Sequence, residues 1–385
     1  MNGPPVPIPA YGRGSLAELT PSLFAALRIP GFENALEVEP FRQVSLLVID
    51  GLGWELLRGH PEDAPFLHGH AAQALTTGFP ATTASSLGSI GTGRPPGEHG
   101  LVGYCFAVPP SEDRPMNALK WQLYGSGPQV DLREAFPPEL AQPRPTAFER
   151  AAAEGVKVTL IGPGYLARSP LERAVLRGGR YRFALGMGDL ASEATRALGE
   201  ERSFTYAYHP ALDTTGHVRG IASEAWALEL RHVDRVAADI ADRLRPGQAM
   251  VVTGDHGMVD LDRADRVEVA DHPQLMAGVR MLGGEARARH VYTAARAGED
   301  VAAAWRGSLG DRMWVRTRDE AIAEGWFGPI VDDDVRPRIG DVVAAAFGAV
   351  GVFQKEVDSR QAEFVGHHGS MTKDEQLVPF ILVRG

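Results

Sequence analysis

The chain has 385 residues, 44% of them hydrophobic and 23% charged, which is enough apolar mass for one large folded domain, with or without a smaller partner, and is at odds with disorder. Its formal net charge of -10 argues against a surface made to hold a nucleic-acid polymer, because such affinity depends on Lys and Arg neutralising phosphates. A single cysteine, Cys105, excludes an intramolecular disulfide framework and a cysteine-based zinc cluster, leaving His, Asp and hydroxyl groups as metal ligands.

The N-terminal Met-Asn-Gly-Pro-Pro-Val-Pro-Ile-Pro has neither the basic start nor the apolar run of a secretory signal. No window approaches the roughly twenty apolar residues that span a bilayer, so the expectation is a cytoplasmic protein without membrane contact. Residues 1–43 read as an arm laid over a core, with one short helix capped by Ser15. From Val44, Ser-Leu-Leu-Val-Ile-Asp is a near-continuous apolar run that ends in Asp50 and a Gly-Leu-Gly turn, the pattern of a buried parallel strand. The stretch from Pro109 to Pro145, rich in Pro and polar residues, is a long connection suited to covering a site mouth.

Further on, a helix from Ala147 to Glu154 leads into a strand from Val156 to Ile161, and a strand from Ser203 to Tyr208 follows. An amphipathic helix from Ser223 to Leu244 then precedes a strand from Ala249 to Thr253. This alternation predicts an α/β fold with a mostly parallel central sheet and helices on both faces. Between Asp271 and Asp341 the pattern becomes strand (Ala286 to Thr293), helix (Gly298 to Arg306), strand (Asp311 to Arg316), helix (Thr317 to Glu324). Residues 271–341 therefore read as a small inserted α+β subdomain, and 44–270 with 342–385 as the core.

Five short motifs carry the chemistry, and each has a plain structural alternative. Asp50 ends a strand at the sheet edge where ligands bind, although an Asp there also caps the next helix. Asp255 and His256 follow a strand directly and reach one ion only if the chain leaves the extended form, which Gly254 and Gly257 permit; a hydrogen-bonded turn is the alternative. Asp213 and His217 share a face across one helical turn, or make a local side-chain hydrogen bond. Thr82 and Thr83 open a small-residue helix, where free N–H groups suit a phosphate and where either hydroxyl could be a cap. A threonine nucleophile at neutral pH requires a metal to lower its pKa. His367 and His368 precede Gly369, and tandem histidines alone mean little. Together the motifs read as the parts of a two-metal phosphoryl-transfer site.

In order and spacing these motifs resemble the alkaline phosphatase superfamily, nearest its nucleotide pyrophosphatase/phosphodiesterase branch. The resemblance covers most of the sequence from Val44 and rests on Asp50, Phe79-Pro80-x-x-Thr83 with Thr92-Gly93 and His99-Gly100, Asp213-Thr-Thr-Gly-His217, Asp255-His256-Gly257-Met258 and His368-Gly369. It implies an alkaline phosphatase-like fold and two divalent ions, zinc foremost and manganese compatible. Asp213, His217 and His368 would hold one ion, Asp50, Asp255 and His256 the other, with Thr83 as nucleophile and metal-activated hydroxyl. The implied reaction is hydrolysis of phosphodiester or pyrophosphate bonds in small, nucleotide-like molecules through a phospho-threonine. A phosphomonoesterase, phosphonate hydrolase or phosphomutase of the same superfamily is the alternative.

The chain departs from the branch at Tyr104, which stands where an asparagine usually holds a phosphoryl oxygen; its hydroxyl can still donate a hydrogen bond to substrate. Ser370 replaces a customary aromatic residue. Cys105 lacks the Cys-x-Pro-x-Arg context of a sulfatase. No arginine adjoins Thr83 to meet a monoester's extra charge, which favours a diester unless Lys120 or Arg133 folds in.

Overall fold

Five parallel strands form the middle of the main sheet. In the computed structural model, which describes residues 3–109, 111–199 and 202–385, their spatial order is Arg180–Phe183, Lys157–Gly162, Ser203–His209, Gln43–Ile49 and Gln248–Gly254. Leu377–Arg384 then pairs antiparallel with Gln248–Gly254, and Gln73–Thr76 pairs antiparallel with it in turn. The sheet is thus mostly parallel and covered on both faces, as the alternation of elements predicts.

Gln43–Ile49 and Gln248–Gly254 are almost wholly buried, which explains their near-continuous apolar sequence. Side chains leave the first strand alternately. Leu46 and Val48 join the core beneath the helices Leu16–Ala26 and Thr83–Thr92, while Leu47 and Ile49 join the opposite core beneath the helix Glu224–Ala241. That last helix buries Trp226, Leu230, Val233, Ala237 and Ile240, a helical spacing of apolar residues. Each such side chain contributes about 1.5–3 kcal/mol when fully buried. Ser223 caps it by accepting from the Trp226 N–H, and Ser15 with Glu18 forms a reciprocal cap on Leu16–Ala26.

Strand register gathers the motifs. Ile49 is aligned with both His209 and Gly254, so three neighbouring strands release the chain at one level. Asp50, the helix Ala211–Arg219 with Asp213 and His217, and the pair Asp255 and His256 therefore meet at the carboxyl edge of the sheet. Gly254 and Gly257 matter there for a different reason from the one the sequence suggests. Neither adopts a positive φ. Their role is close approach: a Cβ at Gly254 would lie 2.1 Å from the Leu52 carbonyl oxygen, and one at Gly257 would lie 2.0 Å from that of Asp374.

Beyond the sheet edge, Val279–Glu285, Ala288–Thr293, Val342–Ala346 and Met313–Thr317 form a four-stranded antiparallel sheet in that order. Its last strand in sequence falls past residue 341, and its first is a hairpin partner that the sequence reading does not contain. The helices Gly298–Leu309 and Arg318–Ala323 accompany it, the second capped by Thr317, and Trp305 anchors a separate apolar core. The Pro109 to Pro145 stretch is not all irregular. Ser111–Asn117 and Gln122–Leu123 join Cys105–Val108 in a three-stranded sheet, and residues from Asn117 to Gln129 line the central cavity.

Candidate active site

Asp50, Thr83, Asp213, His217, Asp255, His256 and His368 converge at this edge. Ligating atoms of Asp213, His217 and His368 lie within 4.8 Å of one another, and so do those of Asp50, Asp213 and His256. Asp213 belongs to both groups. Asp255 sits beside the second, its Oδ2 3.7 Å from His256 Nε2 while its Oδ1 accepts from the Gly51 N–H at 3.0 Å. His367 joins neither group; its Nε2 faces the Phe364 carbonyl at 3.2 Å, and burial lowers its pKa to about 3.

All three histidines are oriented in the same way. The Nδ1–H groups of His217, His256 and His368 donate to the carbonyls of Gly366, Gly257 and Ala81 at 2.7, 2.9 and 2.9 Å. Each Nε2 thereby faces the carboxylates. His256 Nε2 stands 3.3 Å from Asp50 Oδ1, and His217 Nε2 stands 3.3 Å from Asp213 Oδ1, close approaches that call for a proton or a cation between the two atoms. Asp50 Oδ1, Asp213 Oδ1 and Asp255 Oδ2 are buried without a donor. A cluster of acceptors aimed at one point fits a cation there.

The electrostatics agree. Burial and the charge of Asp50 hold the carboxyls of Asp213 and Asp255 well above their ordinary range. Burial opposes charge on His256, but Asp255, Asp50 and Asp213 outweigh it and raise its pKa well above the ordinary value. Burial lowers His217 to about 4 and holds His368 well below its ordinary value, so both are neutral and available as ligands at neutral pH. The site demands positive charge, which a divalent ion would supply more fully than one proton.

Thr83 is the first residue of the helix Thr83–Thr92, with Oγ1 3.3 Å from His256 Nε2. Thr82 takes the N-cap position without making a side-chain cap; its hydroxyl lies 3.4 Å from Glu285 Oε2. Glu285 comes from the antiparallel sheet, also lies 3.4 Å from His368 Nδ1, and has its Oε1 unpaired. Burial raises its pKa to about 8. Nothing in its local sequence signals this position, which depends on a hairpin tip reaching another layer. Tyr208, also missed, donates its hydroxyl to Asp50 Oδ2. A cavity of about 530 Å³ opens over these groups. Tyr104 lines it, hydrogen-bonded with the side chains of Asn117 and Gln361, and burial pushes its pKa up to about 12, so it remains a neutral phenol. Among the described residues, Lys120 and Arg360 are the basic side chains in the lining, whereas Arg133 pairs with Asp131 at the surface.

A parallel α/β sheet thus carries acidic and imidazole clusters around a helix-borne hydroxyl, an arrangement that suits a hydrolase of phosphoric esters. The family model for type I phosphodiesterase/nucleotide pyrophosphatase matches residues 44–371, and the chain belongs to that family, within the alkaline phosphatase superfamily. Murine ectonucleotide pyrophosphatase/phosphodiesterase 5 shares the fold with a TM-score of 0.65 at 15% identity, over 89% of this chain and 88% of that one. An inactive variant of that murine protein, solved in complex with AMP, gives 0.63 at 15% identity over 88% and 87%. Phosphonoacetate hydrolase from Sinorhizobium meliloti, solved with phosphonoformate, gives 0.64 at 20% identity over 90% and 91%. No curated protein matches the sequence at a significant level. No helix among the described residues is long and apolar enough to cross a membrane.

Proposed function

We propose that the chain hydrolyses phosphodiester or pyrophosphate bonds in small molecules, nucleotide-like ones included, at a centre for two divalent cations with Thr83 as the nucleophile. The observation that supports this most directly is the set of donor-less buried oxygens on Asp50, Asp213 and Asp255 beside a threonine hydroxyl. Asp213, His217 and His368 would hold one ion and Asp50, Asp255 and His256 the other; zinc suits these ligands, and manganese is compatible. When bound, such ions supply Lewis acidity to the threonine hydroxyl and the departing oxygen.

Thr83 Oγ1 forms a bond to phosphorus as the bond to the leaving oxygen breaks, and the proton lost by the hydroxyl is balanced by the one the leaving alcohol takes up. Water then cleaves the Thr83–phosphate ester, restoring the hydroxyl and releasing a monoester. The N–H groups at the start of the helix Thr83–Thr92 face the phosphoryl oxygens, and the neutral Tyr104 hydroxyl donates to one of them. Lys120 lines the cavity, so the lack of an arginine beside Thr83 no longer speaks for a diester, and the preference rests on the family match; Lys120 and Arg360 give the phosphonate-hydrolase reading a specific support, since they suit a substrate with a second anionic group. A metal-loaded assay comparing bis-p-nitrophenyl phosphate, p-nitrophenyl phosphate and phosphonoacetate tests the assignment. The diester is expected to turn over fastest, and faster turnover of either other compound overturns the preference.

A further inference from the structure

The cavity extends well past the space that a phosphoryl group fills. One lobe is lined by Leu87 of the nucleophile helix, Leu160 of the sheet, Leu166, Leu171 and Leu176 from the segment after that strand, and Tyr181. All six also belong to, or pack against, the principal apolar core, so the lobe is a part of the core left unfilled beside Thr83. Protein interiors hold few voids larger than a water, and empty apolar volume destabilises in proportion to its size. A void kept open next to a nucleophile is a place for substrate. Its polar inventory is short. Tyr206 lines the cavity with a buried hydroxyl that has no partner, Ser169 Oγ and Glu172 accept from the Glu172 and Arg168 N–H groups, and the Tyr181 hydroxyl donates to the Pro163 carbonyl; the basic residues of the lining come from other elements.

We propose that this lobe receives the organic group that stays on phosphorus, and that this group is uncharged and largely apolar, an alkyl chain or a simple aryl ring, in preference to a nucleoside. The inference rests on the phosphodiesterase reading of the site. In-line attack by Thr83 sends the leaving group away from the helix that carries Leu87, so the group beside Leu87 is the one retained. A base and ribose placed there would bury several donors and acceptors against leucines, with the Tyr206 and Ser169 hydroxyls and the Glu172 carboxylate as their few partners. Polar groups left unpaired in that way reject a ligand strongly, whereas each methylene in an apolar lobe adds affinity.

The test uses the metal-loaded enzyme and three diesters with the same leaving group: methyl, octyl and thymidine p-nitrophenyl phosphates. The octyl ester is expected to exceed both others in kcat/KM by about tenfold or more. Leu166→Gln, at a half-buried position, and Leu171→Gln are expected to remove most of that preference, read as the octyl-to-methyl ratio of kcat/KM within each variant. Thermal melting checks that both variants are folded. An octyl ester no better than the methyl ester, or a preferred thymidine ester, overturns the apolar lobe while the diesterase reading stands. No turnover of any of the three by enzyme with measured metal overturns that reading and the lobe with it.

Discussion

Asp213 is the carboxylate common to both ligand groups, so Asp213→Asn should act with opposite sign on the metal-free and metal-bound protein. In the metal-free protein its Oδ1 is buried without a donor, and burial and Asp50 hold its carboxyl well above the ordinary range. The ordinary value is 3.8, so at pH 8 the unfolded chain carries the charge that the folded site resists. An amide of the same shape removes that penalty, and the metal-free variant is expected to be more stable by about 1–3 kcal/mol at pH 8. With metal, the loss of a shared ligand is expected to weaken binding at least about 100-fold, which removes about 2.7 kcal/mol of metal-induced stabilisation. At about 2 °C per kcal/mol for a chain of this size, Tm in chelator rises by about 2–6 °C and the metal-induced shift shrinks by about 5 °C. Thermal melts in chelator and in excess zinc or manganese, with metal counted by mass spectrometry, read both effects. A metal-free variant less stable than its parent, or an unchanged metal-induced shift, would refute the reasoning.

Thr83→Ala is expected to lower turnover by about 10³-fold or more while metal content stays near two ions per chain; retained turnover would show that another group attacks phosphorus. The metal-free protein is expected to lose stability as pH rises from 6.5 through about 8. In that window Glu285, Asp213, Asp255 and His256 keep protons when folded that they lose when unfolded, and the share of Glu285 alone approaches about 1.4 kcal/mol per pH unit; the unfolded His217 and His368, whose ordinary value is 6.5, oppose this at the lower end. Glu285→Gln should lower that slope by up to about 1.4 kcal/mol per pH unit in urea melts across the range, and an equally steep variant would assign the titration to the other raised groups. Arg287 makes a buried fork to Glu375 at 2.8 and 2.7 Å, and the Glu375 carbonyl accepts from the Gly257 N–H. Arg287→Ala is expected to destabilise by about 3–5 kcal/mol in urea unfolding, and a change under about 1 kcal/mol would mean that the fork does not hold the antiparallel sheet to the core.

The parallel sheet was legible because a strand buried on both faces writes itself as a continuous apolar run, as in Val44 to Ile49, and because caps such as Ser15 and Thr146 announce helices locally. The ligand motifs were legible for a related reason: each follows a strand or opens a helix, so a short stretch of sequence fixes its place. What escaped depends on non-local pairing. The antiparallel strand Leu377–Arg384 is apolar on part of its length and charged at its end, and its partners lie far away in sequence. Glu285 enters the site because Val279–Glu285 and Ala288–Thr293 form a hairpin whose tip crosses to another layer. Tyr208 sits in a strand whose aromatic residues read equally well as core.

The bridge between Ala81 and Gly369 has a consequence for biosynthesis. Ala81 N–H donates to the Gly369 carbonyl at 2.9 Å, and the Ala81 carbonyl takes the Nδ1–H of His368, so the loop before Thr83 is clasped by residues made some 290 positions later. The strand that follows, Leu377–Arg384, pairs with Gln248–Gly254 and Gln73–Thr76 only after it has itself been synthesised. A folding intermediate made of the early strands alone thus lacks both His368 and the strand beside Gln248–Gly254, and the cluster of Asp213, His217 and His368 is completed late in the folding of the enzyme.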